Sequence, residues 1–424
     1  MKRDFEVIVV GAGPAGIAAA VSAAEAGSSV ALLDDNPAPG GQIWRKGASL
    51  PSSAQYWLAK LAASSITRFP SSRVFAHPKA GVISAERDDG AIDLHYGKLI
   101  LATGARELFL PFSGWTIPNV FGAGGLDAMA RGGLPIAGKR VVVAGSGPLL
   151  LAVAAHFAEH GAKVVAICEQ ASFPRVAAFG ARMLVQPGKL WQGISYRWAA
   201  REAHMHFGCW PVAAKGATEL ESVTLRQGKH EWNVPCDYLA CGFHLVPNTE
   251  LAQMLNCRIG DGFVAVDQLQ QTSVASIFCA GEPTGIGGVE LALLEGQIAG
   301  LVAAGRASDT QELAVQRRRM SGFVRALRET YRLDPQLRNL ATDATSVCRC
   351  EDVPFVALRE HTSWRDAKLH TRCGMGPCQG RVCGAAAEFL FDWSVDSVRP
   401  PIFPALVSSL AQAGVSSTDS MEDL

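Results

Sequence analysis

Five of the chain's eleven cysteines fall between positions 348 and 383, as Cys348-Arg-Cys350 and then Cys373-Gly-Met-Gly-Pro-Cys378-Gln-Gly-Arg-Val-Cys383. Thiolates at that density hold a metal or do redox chemistry. A Cys-x-Cys pair well separated from a second pair suits a [2Fe–2S] cluster, in which each iron takes two thiolates. Zinc also accepts four thiolates, but its pairs are usually spaced by two to four residues rather than one. The glycines around Cys378 favour iron and sulfide further. Five cysteines compete for four places. Cys348 and Cys350 form the first pair; Cys378 and Cys383, flanking Gln-Gly-Arg-Val, form the second, with Cys373 and Cys378 as the competing choice. Arg349, Arg372 and Arg381 are placed to offset the negative charge of such a centre.

The other end of the chain carries a phosphate-binding pattern. A short apolar run, 5–10, leads directly into Gly11-Ala-Gly13-Pro14-Ala15-Gly16; an alanine-rich helical pattern follows, then a second apolar run ending at Asp34. Gly11 allows a tight turn, Gly13 lets the backbone approach a pyrophosphate, and Gly16 lets the helix pack closely on the strand. The helix N-terminus offers free N–H groups to phosphate, and Asp34 stands where a carboxylate takes ribose hydroxyls. Two later segments return to this seat. One is an apolar strand ending in Ala102-Thr103-Gly104. The other is a short strand ending in Gly281-Glu282, whose carboxylate can accept from a ribityl hydroxyl. Gly41, Gln42 and Arg45 lie in the loop after Asp34, which reads either as an ordinary polar loop or as one whose Gln42 and Arg45 reach a flavin or its phosphates.

A second strand–loop–helix begins at Lys139 and reads Gly145-Ser-Gly147-Pro-Leu-Leu150. Leucine replaces the third glycine and should push the helix off its strand, so the fold is expected to persist while nicotinamide-nucleotide binding is doubtful. A self-contained NAD(P)H-dependent FAD oxidoreductase, which would need that loop, is the alternative reading. No cysteine precedes Cys168 and no Cys-x-x-Cys occurs, so a dithiol mechanism is not expected. His204 and His206 read as strand-edge or surface residues rather than catalysts. The triple arginine at 317–319, in a helical stretch covering 311–328, reads as a solvated face.

Composition narrows the class. The 424 residues carry 39 basic and 39 acidic side chains, for a formal charge of zero, so overall charge gives no case for nucleic acid or an anionic membrane. No apolar run reaches the length of a membrane span; 141–155 comes nearest and is broken by Gly145-Ser-Gly147-Pro148. The six remaining cysteines are scattered among apolar residues, as expected of buried reduced thiols in a cytoplasmic protein.

Taken together, GAGPAG, PGGQIWR, ATGARE, GSGPLLLA, CGFHLVPNTEL, QTSVASIFCAGE and CRCE…TRCGMGPCQGRVC resemble one family, the flavoprotein/iron–sulfur subunits of bacterial amine-oxidising complexes. These include the A subunit of opine oxidases, the B subunit of hydrogen cyanide synthase, and hydroxyproline or dye-linked proline dehydrogenase subunits. The C-terminal part resembles the bacterioferritin-associated ferredoxin type of [2Fe–2S] domain, whose second ligand pair matches Cys378 and Cys383. The resemblance implies an α/β chain of two dinucleotide-binding (FAD/NAD(P)-type) domains plus a small α-helical C-terminal [2Fe–2S] domain. It implies FAD held by the residues named above, and, as in some relatives, an FMN at a subunit interface. It also implies a D-amino-acid-oxidase-like flavoprotein β subunit that oxidises the C–N bond of a secondary amine or amino acid (opine, proline or hydroxyproline, glycine class). A quinone or artificial acceptor and a small third subunit complete the expected system, cytoplasmic or peripheral to the inner membrane. The expected domains are 1–112 with 245–305 for FAD, 113–244 for the second nucleotide fold, 306–345 as a helical linker, 346–396 for the cluster, and 397–424 as an extension.

Overall fold

The computed structural model describes residues 3–44, 50–185, 187–395 and 398–418. Contacts divide the chain into two units, 1–106 with 247–324 and 398–424, and 107–246 with 325–397.

The chain opens as β1 (Asp4–Val10), α1 (Pro14–Glu25), β2 (Val30–Leu33), α2 (Ser52–Ala63) and β3 (Thr67–Phe69), followed by β4 (Arg73–Lys79), β5 (Val82–Arg87) and β6 (Gly90–Leu101). The order is β3-β2-β1-β6-β5-β4, parallel from β3 to β6 and antiparallel from β6 to β4. Unbroken apolar runs such as Val30–Leu33, buried at every position, are what a parallel strand covered on both faces requires.

The chain leaves this unit along β7 (Ala105–Leu108) and continues as β8 (Val120–Gly122), α3 (Ala123–Arg131), β9 (Arg140–Gly145), α4 (Leu149–Glu159) and β10 (Lys163–Glu169). Next come α5 (Phe173–Arg182), α6 (Pro187–Ala199), β11 (His204–Phe207), β12 (Cys209–Lys215), β13 (Ser222–Gln227), β14 (His230–Pro235) and β15 (Tyr238–Gly242). The order β11-β10-β9-β15-β8 is parallel throughout, and β12–β14 form an antiparallel sheet of their own. Two doubly wound dinucleotide folds are therefore present, as the motifs predict. His204 and His206 lie on the edge strand β11, as expected.

After β16 (His244–Pro247), which pairs with β7, the first unit resumes with α7 (Glu250–Met254), a hairpin of β17 (Ile259–Gly260) and β18 (Phe263–Val264), β19 (Ile277–Cys279) beside β6, and α8 (Val289–Ala303). α9 (Gln311–Thr330) follows. The second unit closes with the hairpin β20 (Ser346–Cys348) and β21 (Val353–Pro354) and with α10 (Phe355–Arg359), α11 (Trp364–Thr371) and α12 (Cys383–Phe391). This helical region has its own core, centred on Val347, Leu358, Trp364, Ala387 and Trp393. α13 (Val407–Thr418) ends the described chain.

The tightest packing in the first unit is between α1 and α8. A Cβ on Gly296 would stand 2.1 Å from the Ala15 carbonyl oxygen, and one on Gly300 would stand 2.2 Å from that of Ala19. Small residues four apart let the two backbones touch, and α1 is thereby fixed with its N-terminus at the nucleotide loop. Gly296→Leu is expected to cost about 3 kcal/mol or more through overpacking, read as a fall in the urea midpoint.

Candidate functional site

The first seat is built where β1 meets α1. Gly11 has φ +105, and a Cβ there would lie 2.2 Å from the Ala102 carbonyl oxygen; at Gly16 it would lie 1.7 Å from that of Gly11. The folded chain itself demands both glycines. Gly13 is different. It caps α1 at φ −76, and its Cβ would meet only the Gly41 Cα, at 3.9 Å. No protein atom among the described residues excludes a side chain at 13. Pro14 occupies the first turn, where its missing N–H costs nothing, and a Cβ on Gly281 would stand 2.9 Å from that of Ala15.

The Asp34 carboxylate accepts from Ala12 N at 2.5 Å and from Asn36 N at 2.8 Å, which fixes the loop's curvature. It also forms one wall of a cavity of about 340 Å³ lined by Leu32, Pro37, Pro39, Arg68 and Phe69, among others. Apolar walls around one carboxylate fit the chemistry of an adenosine, whose purine the prolines and Phe69 would take and whose ribose hydroxyls Asp34 would accept from.

Thr103 and Gly104 are braced by Asn248, from the CGFHLVPNTEL segment. Asn248 donates from its side chain to the Thr103 carbonyl oxygen at 2.9 Å, its carbonyl accepts from the Thr103 hydroxyl at 2.6 Å, and its N–H donates to the Gly104 carbonyl oxygen at 3.0 Å. Arg106 donates to the Asn248 side chain at 2.7 Å and pairs with Glu250 at 2.9 Å. The Thr103 hydroxyl is thus spent on the loop.

Glu282 lies beside Gly104, where an added Cβ would be 3.9 Å from its Oε2. Burial raises its pKa. Among the described residues it has no hydrogen-bond donor, so it is a half-buried carboxylate open to a hydroxyl-bearing ligand. Beneath it, buried Glu295 accepts from Gly281 N at 3.0 Å and from the Thr284 hydroxyl at 2.8 Å, and pairs with Arg317 at 3.1 Å. Burial raises the Glu295 pKa, against the pull of Arg317. The Gln270 amide, oriented by its hydrogen bonds, accepts from the same guanidinium at 2.9 Å and donates to the Cys279 carbonyl oxygen. The solvated face expected at 317–319 is corrected here for Arg317, because a buried carboxylate needs a partner more than a surface needs a charge. Gly41 has φ +60 and approaches Gly13 closely. Gln42 is exposed on that loop, and Arg45 falls outside the described residues.

The second loop has the same plan turned inward. A Cβ on Gly145 would stand 2.0 Å from the Gly242 carbonyl oxygen. Glu169, the counterpart of Asp34, accepts from Gly147 N at 2.7 Å and Ala171 N at 2.8 Å. The Ser146 hydroxyl donates to the Tyr331 carbonyl oxygen at 3.0 Å. Gln170 donates to Ser146 at 2.9 Å and accepts from Asp334 N at 3.0 Å. Ser146 and Gln170 are therefore engaged by residues 331–334, and the Gly147 N–H by Glu169. α4 still packs, with Leu150 buried in the core, so the fold persists as expected.

Burial pushes the Glu169 pKa up to about 7. The native state then binds a proton that the unfolded state releases near pH 4.5. That stability is complete below about pH 4.5 and is lost as pH rises through about 7. Glu169→Gln should flatten the decline, which amounts to at most roughly 3 kcal/mol, in urea midpoints taken across that window.

Three of the five cysteines form one group, and Cys378 and Cys350 adjoin it. The sulfurs of Cys348, Cys373 and Cys383 all lie within 4.8 Å of one another, and all three residues are buried. Cys378 contacts Cys383 on one side and Cys350 on the other, and Cys350 is exposed. Thiols of Cys373 and Cys383 aimed at Cys348 drive its pKa down to about 2, with the N–H groups of Gly374 and Glu351 adding to the effect. The Cys383 thiol brings Cys378 down to about 5, helped by the N–H groups of Val382 and Gly380. The same contacts raise Cys373 and Cys383. One pocket thus collects thiolates and backbone N–H donors, as a thiophilic metal centre requires.

Glycines shape that pocket. A Cβ on Gly374 would lie 2.5 Å from the Trp364 ring, and one on Gly376 would lie 2.4 Å from the Cys350 Cβ. Arg372 pairs with Glu351 at 2.8 Å and Arg349 lies over the Trp115 ring, so neither charge stands alone beside the sulfurs. The other six cysteines are buried free thiols. No helix among the described residues is long and apolar enough to cross a membrane.

Residues 5–306 match the family described as pyridine nucleotide-disulphide oxidoreductase. The A subunit of opine oxidase from Rhizobium meliloti (strain 1021) is 30% identical, over 96% of this chain and 98% of its own length. Hydrogen cyanide synthase subunit HcnB of Pseudomonas aeruginosa is 31% identical, over 90% of this chain and 91% of its own. The crystal structure of L-proline dehydrogenase from P. horikoshii has the same fold, with a TM-score of 0.68 at 19% identity over 96% of this chain and 79% of that one. Thioredoxin reductase from T. acidophilum shares it over 73% of this chain and 99% of its own, with a TM-score of 0.56 at 22% identity. The chain belongs to the pyridine nucleotide-disulphide oxidoreductase family and is an oxidoreductase of FAD-binding fold, related along nearly its whole length to the opine oxidase A subunit and to HcnB.

Proposed function

We propose that this chain is the electron-transfer subunit of a heteromeric dehydrogenase or oxidase that works on the C–N bond of a secondary amine or amino acid. The observation that carries this reading is the joint presence of a nucleotide seat and a five-cysteine pocket in a chain that aligns end to end with the opine oxidase A subunit. FAD would be held by Gly11, Gly13, Gly16, Asp34 and Glu282, and a [2Fe–2S] cluster by Cys348, Cys350, Cys378 and Cys383. When bound, a flavin exchanges electrons in pairs or singly and a [2Fe–2S] centre carries them singly.

This chain's own residues shape and charge the two seats. Asp34 and Glu295 fix the backbone around the nucleotide, Glu282 meets its hydroxyls, and the N–H groups of Gly374, Glu351, Gly380 and Val382 stabilise thiolates. The amine itself would be oxidised on a D-amino-acid-oxidase-like β subunit, with an FMN between subunits, a quinone as acceptor, and a small third subunit. The domain limits set out from the sequence belong to the same proposal.

The rival reading, a self-contained NAD(P)H-dependent reductase, is disfavoured by the engagement of Ser146 and Gln170 with residues 331–334 of this chain. Anaerobic purification with flavin, iron and sulfide analysis, and paramagnetic resonance before and after dithionite, tests the proposal. Extractable FAD and a rhombic signal on reduction are expected. Zinc in the tail, or flavin bleached by NADH in the isolated chain, would overturn it.

A further inference from the structure

Among the described residues, the C-terminal helical region holds a second group of metal-ligating side chains, apart from the sulfurs. His361, Asp366 and His370 each present a ligand atom within 4.8 Å of the other two. Asp366 and His370 are four apart on α11 and therefore share a face. His361 comes from the turn after α10, where its N–H donates to the Leu358 carbonyl oxygen at 3.0 Å. Ser363 caps α11 by accepting from Asp366 N at 3.2 Å, which fixes the turn between His361 and the helix.

The carboxylate stands between the two rings. Asp366 Oδ2 lies 2.8 Å from His361 Nδ1, and Oδ1 lies 3.1 Å from His370 Nδ1. His370 Nδ1 is also 2.9 Å from the Asp366 carbonyl oxygen. The imidazoles are nearly parallel, with centroids 5.3 Å apart and planes at 19°. The Thr362 N–H reaches the same carboxylate, as an outer hydrogen bond that orients a metal ligand does. Arg365 and Lys368 are turned from Asp366 by about 100° or more around the helix.

Two imidazoles and one carboxylate suit a divalent ion of the first transition row, whereas calcium and magnesium take oxygen ligands. Ligand atoms around such an ion stand about 3 to 4 Å apart, close to the spacing found here. Each ring meets the carboxylate through a proton on Nδ1, and a bound cation takes the place of those protons. The His370 side chain is 66% exposed, which leaves the remaining coordination positions to water. We propose that His361, Asp366 and His370 bind one divalent transition-metal ion and so clasp α11 to the turn before it. That helix runs on into the cysteine loop. The Thr371 hydroxyl donates to the Ala367 carbonyl oxygen at 2.6 Å and accepts from Cys373 N at 3.2 Å. A bound ion therefore stiffens the helix that delivers Cys373. The site uses no sulfur and does not depend on what the cysteines hold.

The test is titration of the full chain, free of any histidine tag and washed with a mild chelator, with cobalt(II), followed by visible absorption. One cobalt per chain is expected, with the weak ligand-field bands of nitrogen and oxygen ligation. His370→Ala should weaken cobalt binding by about 100-fold, and Asp366→Asn by about tenfold or more. His370 is exposed, and unchanged circular dichroism would show that its variant folds. Cobalt should raise the unfolding midpoint of the wild type and leave that of His370→Ala where it was. The cysteine pocket is read separately, because thiolate ligation gives an intense charge-transfer band in the near ultraviolet. Absence of cobalt uptake would overturn the proposal, as would uptake that both variants leave unchanged. So would a cobalt spectrum made only of thiolate charge transfer and abolished by Cys383→Ser.

Discussion

Cys383→Ser is expected to yield a chain that carries no iron–sulfur centre. Cys383 is the hub of the thiol pocket: its sulfur lies with those of Cys348 and Cys373 and touches that of Cys378. Serine keeps the volume but offers no soft anion to iron. Visible absorption, iron content and the reduced paramagnetic signal should all fall to background. Without a centre the helical region loses the stability that ligand binding adds to the folded state, so limited proteolysis should cut first within 346–395. Flavin content should be unchanged, because the nucleotide seat belongs to the other unit.

The companion variants decide the ligand set. Under the proposed assignment Cys350→Ser also loses the centre, whereas Cys373→Ser keeps it. The structure sharpens that comparison, because Cys373 is fully buried among the sulfurs while Cys350 is exposed beside Cys378. Loss on removing Cys373 and retention on removing Cys350 would move the fourth ligand to Cys373. Retention of iron by Cys383→Ser would sink the assignment altogether.

The second large effect is expected at Gly13. Alanine there should leave the empty protein folded and lower FAD affinity by about 100-fold, close to 3 kcal/mol. The backbone at 13 has φ −76, which alanine adopts without strain, and the new methyl would meet only the Gly41 Cα at 3.9 Å. A pyrophosphate drawn against the N-terminus of α1 would meet that methyl directly. Reconstitution of flavin-free protein, followed by flavin fluorescence, measures the affinity. The unfolding midpoint without ligand should stay within about 0.5 kcal/mol of wild type. Gly16→Ala is the contrast, since its methyl would strike the Gly11 carbonyl and both readouts should fall. Undiminished affinity in Gly13→Ala would mean that no phosphate approaches the loop.

Much of this architecture is legible in residue order because it is local. Gly11-x-Gly13-x-x-Gly16, the apolar runs on either side and the terminal Asp34 lie within one βαβ unit, where neighbours in sequence are neighbours in space. The cysteine group is legible for the same reason. What escapes notice is held by long-range contacts with no spacing rule. Asn248 braces Thr103 from 145 residues away. Arg317 sits in a run of three arginines that reads as surface, yet it meets a glutamate whose burial depends on how α8 packs. Tyr331 follows a helix and carries no motif, yet its carbonyl accepts from the serine of the second loop.

The paired behaviour of Asp34 and Glu169 bears on ancestry. Each carboxylate stands at or just past the end of the second strand of its unit and accepts from an N–H of the preceding glycine loop. An acid at that site can therefore be retained by selection for loop curvature alone, whatever coenzyme its domain carries. Such a residue answers to shape, and an acid after a glycine loop is by itself no proof of a bound coenzyme.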